Sequence, residues 1–125
     1  MRITGVKWIK ENRQFRRIYR QAKFKNFAEL TIYYRFLRRD EVAVAVAVSR
    51  KLGTAVERNF AKRRLRHLLQ EFAPQFKRGV EVILMARPQI LDADFATLKQ
   101  RVARELMQLG IIETAEDVQD AASED

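Results

Sequence analysis

Apolar positions follow a helical period in three parts of this 125-residue chain. Within Asn12–Ala22 they recur every three or four residues, which is typical of an amphipathic helix. The same spacing predicts a second helix over Ala55–Phe72. It predicts a third helix that is capped by Asp92 or Asp94 and stops at Gly110. Three helices are therefore expected, separated by segments of a different pattern.

The intervening segments have the pattern of strands. Phe27–Leu37 and Val42–Ser49 alternate with a period of two, and Arg38–Glu41 between them is predicted to be a hairpin-like turn. Val80–Ala86 is apolar on both faces, which indicates a strand inside the sheet. Lys23–Asn26 is predicted to be a loop. This order of elements predicts an α+β fold, with helices packed on one sheet.

The strand Val42–Ser49 has two unequal faces. Its valines form one face, which we expect to join the core, whereas the other face carries only alanines and Ser49. Side chains this short either let a helix pack closely or leave a shallow floor for a ligand. Thr31 and Tyr33 point away from Leu30 and Ile32 and could continue that floor.

The helix Ala55–Phe72 carries most of its charge on one side. It begins at a capping box formed by Thr54 and Glu57. Its apolar stripe consists of Ala61, Leu65, Leu68, Leu69 and Phe72. Roughly opposite lie Asn59, Lys62, Arg63, Arg66 and Gln70. A basic, one-sided helix suits a polyphosphate backbone, although a solvated helix face is the alternative.

The net charge of +9 is unevenly distributed. Residues 113–125 contain six acids and no Lys or Arg, so residues 1–112 carry 25 − 10 = +15. We expect one basic domain over 1–112 and an acidic, disordered tail over 113–125. The surplus points to nucleic acid or an anionic membrane. A membrane partner is not expected, since the chain has neither a long apolar segment nor a signal-peptide pattern.

No catalytic site is predicted within the polypeptide. The chain has one histidine, His67, and no cysteine. Its close carboxylate pairs outside the tail, Asp40 with Glu41 and Asp92 with Asp94, are explained as a turn and a cap. We therefore predict no catalytic residue, metal site or bound cofactor, and any catalytic groups would lie on a partner.

Residues 47–66, AVSRKLGTAVERNFAKRRLR, resemble the signature of the bacterial ribonuclease P protein component. That signature reads V-S-K-K-x-G-x-A-V-x-R-N-R-x-K-R-x-x-R, and the likeness extends over most of 8–110. The resemblance implies an αβββαβα sandwich with three helices, one mixed four-stranded sheet and a left-handed βαβ crossover. It also implies a protein bound to ribonuclease P RNA. In that enzyme the RNA, with its Mg²⁺ ions, removes the 5′ leader of precursor tRNA. Precursor tRNA is therefore the second implied partner, and no protein partner is implied. The absence of cysteine and of a signal-peptide pattern favours a cytoplasmic bacterial protein, with an organelle as the alternative.

Two sets of residues follow from the resemblance. Positions implied to bind the RNA subunit are Arg50, Lys51, Arg58, Asn59, Phe60, Lys62, Arg63 and Arg66. Positions implied to line a leader-binding cleft are Phe15, Tyr19 and Tyr33, and we add Thr31 because it lies on the same strand face as Tyr33. The alternative for Phe15 and Tyr19 is that they fill the core. Phe60 replaces a family arginine, and we expect it to stack on an RNA base or a neighbouring protein surface while Arg64 partly restores the charge.

Two other functions are compatible with the charge and fold class. One is a structural RNA-binding protein, such as a ribosomal protein or an RNA chaperone, and only the motif argues against it. The other is a protein-only nuclease, which the small number of carboxylates disfavours.

Overall fold

Residues 3–113 are described in a computed structural model, where helices cover both faces of a five-stranded sheet. The strands are β1 (Lys7–Trp8), β2 (Lys23–Asn26), β3 (Leu30–Phe36), β4 (Val42–Ala47) and β5 (Val80–Ala86). The helices are α1 (Asn12–Gln21), α2 (Ala55–Phe72) and α3 (Phe95–Gln108). Short 3₁₀ turns occupy 50–52, 73–75 and 88–91. The predicted acidic tail, apart from Glu113, lies outside the described residues.

The strand order across the sheet is β1-β4-β5-β3-β2. The central strand β5 is parallel to β4 and antiparallel to β3, and α2 connects β4 to β5. The outer strands β1 and β2 pair with β4 and β3 respectively. The α+β class is confirmed, but the expected four strands are five because β1 precedes α1. The loop prediction for Lys23–Asn26 was also wrong, since this segment is β2.

The segment Arg38–Glu41 is not a hairpin turn, because β5 lies between β3 and β4. The Leu37 amide donates to the Gly79 carbonyl at 2.7 Å, and the Gly79 amide donates to the Glu41 carbonyl at 2.9 Å. Gly79 has φ +88°, and a Cβ there would lie 3.0 Å from the Leu37 and Arg39 carbonyl oxygens. Glycine is therefore required where the turn wraps the start of β5.

The two faces of the sheet are covered differently. On one face α2 and α3 close a large aliphatic core. Its fully buried members include Leu30, Ile32, Val44, Leu65, Leu69, Val82 and Val102. Each such side chain contributes about 1.5–3 kcal/mol by leaving water. The other face carries a smaller cluster under α1, formed by Ile9, Ile18, Ala43, Ala45 and Ile83.

The alanine face of β4 combines the two alternatives that its sequence allowed, a closely packed helix and a shallow floor. Ala43 and Ala45 are buried beneath the segment that contains Ile9 and Ile18. Ala47 is only partly covered, so the floor continues beyond the helix. Close packing of α1 and a shallow open floor thus occur along the same strand.

The helix starts follow their predicted caps. The Thr54 hydroxyl accepts from the Glu57 amide at 3.2 Å, and the Glu57 carboxylate accepts from the Thr54 amide at 2.9 Å. This reciprocal pair confirms the capping box at α2. Asp94, rather than Asp92, caps α3 by accepting from the Thr97 amide at 3.0 Å. That hydrogen bond, together with one from the Thr97 hydroxyl, lowers the pKa of Asp94.

Candidate nucleic-acid interface

One flank of α2 and the turn before it form a basic concave surface. The Ser49 hydroxyl accepts from the Lys51 amide at 3.2 Å and starts the short turn 50–52. The turn places Arg50 beside the first turns of α2. A depression of about 280 Å³ there is lined by Val48, Arg50, Ala55, Arg58, Asn59 and Lys62. Four of the predicted RNA-subunit positions are thus brought together.

The same flank continues towards the N-terminal strand. Arg66 lies one helical turn beyond Lys62 and lines a larger groove with Trp8, Lys10 and Ala45. Arg63 is exposed on the outer side of the helix, and Lys51 is exposed in the turn. We call the set Arg50, Lys51, Arg58, Asn59, Lys62, Arg63 and Arg66 the basic flank. Within residues 3–113, none of its cationic side chains forms a salt bridge.

Phe60 and Arg64 lie on the other flank of α2, beside the segment that precedes α3. The Arg64 guanidinium stands 4.6 Å above the centroid of the Phe60 ring. Its Nη1 donates to the Ile90 carbonyl at 3.4 Å and also to the Ala93 carbonyl. Cation–π contact and these hydrogen bonds together stabilise the packing of α2 on the start of α3.

Arg64 is therefore occupied within the protein, which argues against the expectation that it restores the missing charge at Phe60. Phe60 is half-buried under that guanidinium and lies apart from the basic flank. Sequence reasoning could not find this contact, because Ile90 and Ala93 are 26 and 29 residues away along the chain. A contact between Phe60 and RNA stays a prediction.

Aromatic side chains from α1 and the sheet form a second surface, which we call the aromatic cleft. The rings of Tyr19 and Tyr33 meet edge to face, with their centroids 4.8 Å apart. Phe15 lies 6.2 Å from Tyr19, and Phe24 lies 5.9 Å from Tyr33. Burial raises the pKa of Tyr19, and the neighbouring Tyr33 raises it further. The Tyr19 hydroxyl is therefore neutral at physiological pH.

The structure brings three of the four predicted cleft residues into contact, whereas Thr31 lies buried on the same face of the sheet. Thr31 is only 5% exposed. Its hydroxyl donates to the Asn26 side-chain oxygen at 2.6 Å, and this hydrogen bond holds the Asn26 side chain in place. Phe24 and Asn26 were missed because their segment has no apolar alternation. Recognising it as a strand would have placed both on the face of Tyr33.

The surroundings of the aromatic cleft are strongly basic. Residues 12–28, which contain α1 and β2, include six Lys or Arg and no Asp or Glu. On the same face of the sheet, Glu81 is buried and pairs with Arg35 at 3.6 Å. This charge distribution favours an anionic ligand.

The described residues contain neither a metal-ligand cluster nor a membrane-spanning helix. Across 3–113, no three His, Asp or Glu side chains come together as a possible metal site. No helix in this part of the chain has the length and apolar character needed to cross a membrane. The fold, the basic flank and the aromatic cleft together are typical of a small nucleic-acid-binding protein.

Comparisons with known proteins identify the family within this class of protein. The family model described as Ribonuclease P matches residues 6–110. The ribonuclease P protein component of Chloroflexus aggregans is 33% identical over 104 residues, which cover 82% of this chain and 77% of that protein. The ribonuclease P protein component of Caldanaerobacter subterraneus is 29% identical over 108 residues, or 86% and 93% of the two chains. The chain belongs to the ribonuclease P protein family.

The solved structure of the Staphylococcus aureus RNase P protein shares the fold. Its TM-score is 0.73 at 24% identity, with 85% of this chain and 97% of that chain covered. The described sheet and helices therefore have the architecture known for this family.

Proposed function

We propose that this chain gives ribonuclease P two RNA-binding surfaces, one for its RNA subunit and one for the 5′ leader of precursor tRNA. As a family member the chain is the protein subunit of this tRNA-processing endoribonuclease, and it works with ribonuclease P RNA. Catalysis in the holoenzyme is by the RNA. We further propose that Mg²⁺ enters through that RNA and that the complex acts in the bacterial cytoplasm, where precursor tRNA is made.

The basic flank is the proposed contact with the RNA subunit. The observation that carries this proposal is that its cations gather on one side of α2 without any salt bridge among the described residues. Cations without protein partners can neutralise phosphates and release counterions. Affinity for the RNA subunit should therefore fall steeply with salt.

The aromatic cleft is the proposed contact with the leader. Phe15, Tyr19 and Tyr33 offer ring faces and edges next to the small side chains of β4. Stacking on aromatic rings contributes about 1–3 kcal/mol per base and depends little on sequence, which suits leaders of varied sequence. Since mature tRNA has no leader, this contact would favour the precursor over the product.

A reconstitution separates this function from its alternatives. Purified protein is added to precursor tRNA with and without the cognate RNA subunit, at a Mg²⁺ concentration too low for the RNA alone. We expect cleavage only when both subunits are present. Cleavage by the protein alone would indicate a nuclease, and cleavage that never responds to the protein would indicate a structural RNA-binding protein.

A matched variant tests whether the basic flank is the assembly surface. Arg63→Glu combined with Arg66→Glu should weaken binding to the RNA subunit. The slope of log affinity against log salt should fall by about one for each phosphate that the variant no longer neutralises. Charge reversal at Lys99, which lies on α3 and pairs with Glu71, is the control and should leave that slope unchanged. Equal effects of the two changes would contradict a localised assembly surface.

A further inference from the structure

Phe24 is an exposed aromatic side chain on the edge strand β2. Its side chain is 60% exposed, the largest exposure of any Phe in residues 3–113. A single exposed apolar residue is common on protein surfaces and by itself needs no explanation. Phe24 differs because its ring contacts Tyr33, with centroids 5.9 Å apart and planes inclined by 41°.

The sheet register places Phe24 in line with the aromatic cleft. Phe24 pairs with Tyr33, Tyr33 with Ile83, and Ile83 with Ala45. Residues paired in this way project from the same face of the sheet. The row therefore starts under α1 and ends at the free edge of the sheet, with its most exposed ring at that edge.

Asn26 adds a polar group beside that ring. It lies two residues after Phe24 and is paired with Thr31, so both side chains occupy the cleft face. The Thr31 hydroxyl donates to Asn26 Oδ1 at 2.6 Å. This contact fixes the orientation of the amide and turns its Nδ2 donors away from Thr31. A nucleobase that stacks on Phe24 would meet a hydrogen-bond donor for a ring nitrogen or carbonyl.

The charge around this edge selects the kind of ligand. Lys23 and Lys25 flank Phe24 and project from the other side of the edge strand, where they can reach a polyanionic backbone. The carboxylate-free stretch 12–28 surrounds the same place. An aromatic ring, an amide donor and flanking lysines match unpaired RNA, whose bases stack while its phosphates are neutralised.

We propose that Phe24 and Asn26 form an additional base-binding subsite, which takes an unpaired nucleobase of the leader at the outer end of the aromatic cleft. This inference rests on the proposed function, in which Tyr33 contacts the leader. It extends the leader path across β3 to the edge of the sheet. It also assigns the buried Thr31 a positioning role, because Thr31 orients Asn26.

The test uses the assembled holoenzyme and precursor tRNAs whose leaders are shortened one nucleotide at a time. Phe24→Ala should lower the affinity for full-length leaders at least about fivefold, the low end expected for loss of one stacked base. The loss should vanish once the leader is too short to reach β2. Phe36→Ala is the matched control, because Phe36 is 51% exposed on the opposite face of β3. That control should leave every affinity unchanged.

Further variants distinguish the loss of ring stacking from the loss of side-chain volume and from a loss of folding. Phe24→Trp should keep the affinity, whereas Phe24→Leu should lose most of it although its side chain stays apolar. Asn26→Ala should weaken binding of the same leaders that respond to Phe24→Ala. Full affinity in Phe24→Leu, or a loss that does not depend on leader length, would overturn the subsite.

The variant Tyr33→Ala shows which proposal has failed. If Tyr33→Ala weakens precursor binding and Phe24→Ala does not, the leader lies in the aromatic cleft and the β2 subsite is wrong. If neither variant responds to the leader, the proposed function of the cleft is wrong as well.

Discussion

The two faces of the sheet differ in what they leave accessible. Beneath α2 and α3, the face that contains Ile32, Val44 and Val82 is closed, and each of these side chains has no exposed surface. Beneath α1, the opposite face becomes progressively more open, from the buried Ala45 through the half-buried Tyr33 to the exposed Phe24. One face is a closed core, and the other is a core that opens into the surface proposed to bind the leader.

The alternation in β4 is the physical origin of this difference. Its valines are bulky enough to fill the space between the sheet and two helices. Its alanines let the single helix α1 approach and then leave a shallow floor at Ala47. If this face binds the leader as proposed, alternate residues of one strand serve stability and binding.

The largest expected effect is on the closed face. Leu65→Ala removes a fully buried side chain of α2, and the resulting cavity should lower the free energy of unfolding by about 2–5 kcal/mol. Denaturant unfolding measures the loss. Under conditions where the variant is still folded, its preference for precursor over mature tRNA should be unchanged. A changed preference would mean that the two faces are not separable.

A pair of adjacent tyrosines compares the faces directly. Tyr33→Ala should weaken precursor binding by about 1–3 kcal/mol, since it removes a stacking ring from the aromatic cleft. Tyr34→Ala removes the same side chain from the other face, where Tyr34 contacts Phe36 with the ring centroids 5.9 Å apart. We expect this second variant to change stability and not precursor affinity. The assignment fails if Tyr33→Ala alters only thermal stability.

Adjacent arginines of α2 make a similar comparison for charge. Arg64→Ala should cost about 1–2 kcal/mol of stability, because it removes hydrogen bonds to the Ile90 and Ala93 carbonyls and the stacking on Phe60. Arg63→Ala should leave stability nearly unchanged and reduce the salt dependence of RNA-subunit binding by about one phosphate. Thermal unfolding and binding titrations at several salt concentrations measure both effects. The reverse pattern would show that Arg64 is the phosphate contact.

The smallest expected effect concerns alkaline pH. Burial raises the pKa of Tyr19 in the folded protein above its usual value near 10, so folding favours the neutral phenol. The stability from this group is present below pH ~10 and is lost as pH rises through the folded pKa. Tyr19→Phe should remove that part of the alkaline loss, as measured by denaturant unfolding across this pH range. An identical loss in both proteins would show that Tyr19 does not carry it.

Sequence patterns predicted the elements whose causes are local. The α2 helix is specified by its capping box and apolar stripe, and β5 by an apolar run on both faces. The two strands that the sequence patterns missed, β1 and β2, depend on contacts with distant parts of the chain. The two residues of β1 are held by the backbone of β4, and β2 is exposed at all four positions. Neither has an apolar periodicity that could reveal it.

In the candidate site, too, local spacing predicted some residues and distant contacts determine others. Spacing along α2 sufficed to group Asn59, Lys62 and Arg66 on one side. The Arg64 side chain donates to a carbonyl far along the chain, and the Thr31 hydroxyl donates to Asn26 in a strand that the sequence patterns missed. Contacts of this kind require the folded arrangement of the sheet.

The most direct test of the binding face is the fluorescence of 2-aminopurine placed at successive positions in the leader of precursor tRNA. Stacking of this base on an aromatic ring quenches its emission. With the wild-type holoenzyme we expect quenching at positions that reach the aromatic cleft, its loss in Tyr33→Ala and its retention in Tyr34→Ala. Equal quenching in all three proteins would contradict the assignment of the alanine and aromatic face to the leader.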